Sequence, residues 1–86
     1  MQVKLLAVYD NKAEGFKPPI AVNSIGEGER SFRDACANKE TDFGMHPEDY
    51  SLWCVGTFNV LSGETTPEKY HVCNGHVAQP MEVKND

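Results

Sequence analysis

The chain has 86 residues, room for one core, and its 40% hydrophobic and 24% charged content is that of a folded domain, not of a disordered segment. Eight Lys and Arg against thirteen Asp and Glu leave a net charge of −5, which opposes nonspecific attraction to phosphate backbones and to anionic membranes. A generic DNA-coating role is disfavoured on that ground, and only residues 1–22, with three basic against two acidic groups, are not acidic.

Residues 3–9 alternate, with Val3, Leu5, Ala7 and Tyr9 on one face and Leu6 and Val8 on the other, which predicts a strand with two partly apolar faces. The start of the chain runs straight into this strand without a membrane-length apolar stretch or a signal-peptide pattern, so a cytosolic location is expected. Asp10 to Lys17 holds the turn formers Asn11 and Gly15, and Pro18 and Pro19 open a short extended piece ending near Val22. Proline cannot donate to a ladder, so this second strand belongs at an edge.

Ser24 and Glu27 have the spacing of a capping box, in which hydroxyl and carboxylate each satisfy an orphaned backbone amide. A helix over about residues 26–38 follows, with Phe32, Ala35 and Cys36 on one face and Glu29–Arg33 and Arg30–Asp34 as surface pairs. An irregular acidic stretch then leads to Tyr50–Phe58, the strongest strand pattern in the chain and its expected centre. Leu52, Cys54 and Phe58 are expected on one face of it and Trp53 and Val55 on the other. A turn at Leu61–Glu64, an extended run around Lys69–Cys73 made peripheral by Pro67, and a turn at Asn74-Gly75 complete the pattern.

The expected fold is α+β: a small, mostly antiparallel sheet with one helix packed on one face, in the order ββαββ. Residues 1–78 are read as a single domain and residues 79–86 as a flexible tail. One helix covers one side of a sheet, so the side bearing Trp53 and Val55 needs another cover, either a second copy in a homodimer or the carboxy-terminal tail folded back.

Chemistry is sparse. Cys36, Cys54 and Cys73 are odd in number and widely spaced, which favours reduced, buried thiols over a disulfide framework. Cys73 and His76, with His71 nearby, form a zinc-site fragment that only Cys54 or Cys36 could complete; the paired Cys-x-x-Cys spacing is missing, and no metal or cofactor is expected. Gly26-Glu27-Gly28 resembles half a phosphate loop, but its glutamates repel phosphate and capping is the better reading. Glu48 and Asp49 are adjacent carboxylates that start a turn more readily than they make a catalytic dyad, and no histidine has a neighbouring nucleophile, so no enzyme is expected. Tyr9, Lys12, Phe16 and Lys17 combine rings and ammonium groups as single-stranded nucleic acid requires, although Asp10 and Glu14 offset the two lysines.

Three stretches in order carry a likeness: Tyr9-Asp10-Asn11-Lys12-Ala13 leading to Pro18-Pro19; Arg30-Ser31-Phe32; and His46-Pro47-Glu48-Asp49-Tyr50 with Leu52-Trp53-Cys54-Val55-Gly56-Thr57-Phe58 and Gly63. Together, over about residues 3–66, they resemble the nonstructural protein of the gokushovirus branch of the Microviridae, small single-stranded-DNA phages. The resemblance implies a protein of the host bacterial cytoplasm, made during infection, absent from the finished capsid and associated with viral DNA synthesis and the switch to genome packaging. Lys12, Arg30, Pro47, Glu48, Asp49 and Gly56 are its motif positions, and it attaches no catalytic role to them.

The expected function is therefore that of a non-enzymatic, homodimeric accessory protein in phage single-stranded-DNA replication or packaging, binding a viral or host replication protein, single-stranded DNA, or both. Tyr9, Lys12, Phe16 and Lys17 are the expected nucleic-acid set. Arg30, Glu48, Asp49 and Trp53 are the expected protein-interaction set, with no membrane partner. The alternative is an interaction or inhibitor module aimed at a host protein.

Overall fold

The computed structural model describes residues 1–76, and in it one antiparallel sheet contains β1 (Gln2–Asp10), β2 (Gly15–Phe16), β3 (Ile20–Val22), β4 (Tyr50–Asn59) and β5 (Thr65–Asn74). β4 lies between β1 and β5, while β2 and β3 share the outer edge of β1. The α+β, antiparallel expectation holds. The expected second strand is β3, beginning after Pro18 and Pro19; β2 stands in the stretch read as a turn, and a second short helix, α2 (Asp42–Met45), stands where irregular chain was expected. The tail assigned to residues 79–86 lies outside the described residues.

Helix α1 (Ile25–Ala37) starts as its sequence predicts: the Ser24 hydroxyl accepts from the Glu27 amide at 3.2 Å. The Glu27 carboxylate accepts from the amide of Asn23, one residue earlier than a standard capping box would use. Arg33 and Glu29 form the expected pair at 2.7 Å, whereas Arg30 and Asp34 form no ion pair with the described residues. Both side chains of the formed pair are substantially exposed, so its contribution to stability is small.

Phe32 and Cys36 of α1 seal against Leu6, Leu52, Cys54 and Cys73 of the sheet, with Val8, Val22, Ile25, Phe43, Tyr50 and Val72 packed around them. Leu6 and Cys54 are the most deeply buried, at 1% and 0% exposure. Gly28 lets α1 sit this close, because a Cβ there would run into Leu6 and lie 3.4 Å from both methyls of Val22. Burial pushes the Cys36 and Cys73 thiols up, Arg33 pulling weakly the other way, so at neutral pH they remain protonated packing groups.

Thr41 ties α1 to α2. Its hydroxyl donates to the Ala35 carbonyl at 2.8 Å, satisfying a free end of α1, and accepts from the Gly44 amide at 2.9 Å as the cap of α2. A turn of 3-10 helix at Pro47–Asp49 then feeds β4, as the Glu48-Asp49 pair was expected to do.

Three register shifts, one between β1 and β4 and two between β4 and β5, reset the faces of the sheet. Leu6 pairs with Cys54 but Leu5 with Gly56, so Val55 is an extra residue of β4. Paired residues share a face, and beyond the bulge Val3 pairs with Phe58. This corrects the expected alternation: Phe58 lies on the side of Trp53, not of Leu52 and Cys54. In β5 Val72 is one extra residue, since Leu52 pairs with Cys73 but Trp53 with His71, and a second shift puts Glu68 and Lys69 opposite Val55. His71 and Cys73, two apart and considered above with His76 as a zinc-site fragment, therefore lie on opposite faces.

Candidate nucleic-acid interface on the open sheet face

The strand alternation of β1 sends Leu6 and Val8 toward α1 and leaves Val3, Leu5, Ala7 and Tyr9 on the other face, where no described helix packs. After Tyr9 the chain reverses tightly. The Asp10 carboxylate accepts from the amides of Lys12 and Ala13 at 2.9 and 3.3 Å, and the Glu14 amide donates to the Asp10 carbonyl at 2.8 Å. Tyr9 then pairs with Phe16 across the hairpin, and Ala7 pairs with Trp53 on the other side.

These registers bring four rings into a row. Tyr9 and Phe16 have centroids 4.9 Å apart, Phe16 and Trp53 6.2 Å, and Trp53 and His71 5.3 Å, each pair close to perpendicular. Lys69 reaches over the middle of the row with its Nζ 5.5 Å from the centroids of both Phe16 and Trp53. The indole is fixed by an Nε1–H bond to Ser51 Oγ at 2.9 Å, and the His71 ring by a 2.8 Å contact between Nε2 and Asn74 Oδ1. Phe16 is 41% exposed and Trp53 half-buried, so the row is open to solvent.

The turn that aims Phe16 stores backbone strain, because Glu14 has φ 60° without being glycine. Replacing it relieves that strain and removes an acidic group beside the row: Glu14→Gly is expected to stabilise the fold by ~1 kcal/mol. For a chain of this size that is a rise in Tm of about 4–8 °C; an unchanged or lower Tm would contradict the reading.

The expected nucleic-acid set is divided by this geometry. Tyr9 and Phe16 lie on the open face. Lys17 turns to the helix side, where its Nζ stands 5.9 Å from the Phe43 ring at a groove of 270 Å³ formed with Ala35, Thr41 and Asp42. Lys12 is exposed in the turn. The expected protein-interaction set is divided as well: Trp53 joins the ring row, Arg30 is exposed on α1, and Glu48 and Asp49 lie in the 3-10 turn. Lys69 and His71 were missed, since only the register of β5 against β4 reveals that they meet Trp53.

At the 3-10 turn His46, which precedes it, and Glu48 and Asp49 within it bring their donor atoms within 4.8 Å of one another, an arrangement compatible with a cation. Tyr50 follows at the start of β4, its phenol pushed up by burial and then by the carboxylates of Asp10, Asp42 and Asp49. That end of the molecule is strongly acidic.

A single antiparallel sheet with helices on one side and a lysine-bearing row of rings on the other defines a small, open-faced α+β protein. The chain belongs to the phage ORF5 protein family, whose model matches residues 3–78. It matches no curated protein and no solved structure.

Proposed function

We propose that this phage protein is a non-enzymatic accessory in single-stranded-DNA replication or in the switch to genome packaging, and that it binds single-stranded DNA on the open face of its sheet. The observation that carries the reading is the row Tyr9–Phe16–Trp53–His71 with Lys69 across it, rings for bases and an ammonium for phosphate. The chain's only tryptophan lies in the row, so its fluorescence reports occupancy directly.

Titration with an oligothymidine at low salt is expected to quench Trp53. Phe16→Ala, which keeps that reporter, is expected to weaken binding about 5- to 150-fold, the ~1–3 kcal/mol of one stacked base. The helix side is untouched by the substitution, so its folding is checked by an unchanged far-ultraviolet spectrum. Undetectable binding at low salt overturns the proposal.

A second reading is favoured by the acidity of residues 23–49, with seven acidic against three basic groups and with Arg30 and Glu48 exposed. Such a surface suits a basic viral or host protein, whose encounter complementary charge accelerates. A homodimer through the open face would compete for the same rings. A dimer seen by light scattering that oligothymidine fails to dissociate would assign the face to a second copy.

A further inference from the structure

If the open face binds single-stranded DNA, as proposed, its ring geometry also constrains which strands it accepts. Phe16 and Trp53 stand 6.2 Å apart with their planes 85° to one another, and Tyr9 and His71 are inclined to their neighbours by 67° and 77°. Bases lying flat on two such rings cannot lie flat on each other. A duplex, or a strand that keeps its own helical stacking, does not fit; a splayed strand does.

Charge points the same way. Lys69 is the cation placed over the rings, while Asp10 and Glu14 flank the hairpin and Glu68 precedes Lys69 in β5. In a chain of net charge −5 no long-range field draws in a polyanion, so affinity must come from base contact. Lys69 also occupies the space above both rings, and an arriving base moves its ammonium outward, where a phosphate follows each base.

We propose that the face formed by Tyr9, Phe16, Trp53 and His71 selects unstacked, pyrimidine-type single strands by their bases, with Lys69 supplying the one phosphate contact made by the described residues. Thymine runs stack weakly on themselves and are already splayed. Adenine runs must first be unstacked, which costs affinity.

Equal-length oligothymidine, oligoadenosine (deoxy), abasic and duplex probes, titrated against the full chain across a salt series, test this. Oligothymidine is expected to bind tightest, oligoadenosine several-fold more weakly, and the abasic strand and duplex at least ~10-fold more weakly, about the value of one stacked base. The slope of log K against log salt is expected near −0.7, one phosphate on a single strand, and near zero for Lys69→Met. An abasic strand or duplex that binds as well as oligothymidine, oligoadenosine that binds as well or better, or a slope steeper than about −2 overturns base selection while leaving the single-stranded-DNA reading standing. Absence of binding by every probe removes both.

Discussion

Leu6→Ala is expected to lower stability by about 2–5 kcal/mol, a large share of the roughly 4–13 kcal/mol available to a chain of this length. Leu6 is 1% exposed and stands at the point where β1, Phe32 and Cys36 meet, so truncation leaves a cavity that the flanking residues cannot close. The informative measurement is a cycle with Gly28. On its own, Gly28→Ala places a Cβ against Leu6 and near both Val22 methyls, and overpacking of about 1–3 kcal/mol outweighs the ~1 kcal/mol gained from better helix propensity. With Leu6 already cut back to alanine, the new methyl enters the space that Leu6 vacated. Gly28→Ala should then change sign and stabilise. Denaturant midpoints at a common m-value measure both steps, and additive effects would show that Gly28 is not where the helix seats on the sheet.

Gly44→Ala carries the second large effect, about 2–4 kcal/mol of destabilisation, because the obstruction is backbone instead of a movable side chain. A Cβ at residue 44 would strike the Asn38 carbonyl and approach the Lys39 amide to 3.0 Å. The Asn38 carbonyl cannot retreat freely: it accepts from the Thr41 amide at 3.0 Å, and the Thr41 hydroxyl oxygen, whose one proton the Ala35 and Asn38 carbonyls share, stands 2.9 Å away. Moving it disrupts the residue that caps α2 and closes α1, and Phe43, which packs its ring 5.9 Å from Phe32 and 4.7 Å from Tyr50, loses its seat. Thermal unfolding of Gly44→Ala at the wild-type temperature would refute this account of the α1–α2 junction.

Much of this molecule was legible in its residues. The period of two in Val3–Tyr9 and Tyr50–Phe58, the Ser24-x-x-Glu27 cap and the spacing of Phe32 and Cys36 all act within one element, so local sterics and hydrogen bonding determined β1, β4 and α1 directly. Tyr9 and Phe16 were singled out together by their residue types, but their pairing across the turn came only from the register of β2 on β1. The motifs also carried the phage affiliation that the family match supports.

What a strand meets on its neighbour is a matter of register, and register is set by bulges and packing far along the chain. One extra residue at Val55 moved Phe58 to the other face, and one at Val72 parted His71 from Cys73. The same shifts delivered Lys69 and His71 to Trp53, joining rings from four strands into a surface that no single segment encodes. By itself the sequence determined the strands, the helix and the side chains they carry; the tertiary structure alone decided which faces those side chains share, because an alternating chain inverts its two sides with every inserted residue.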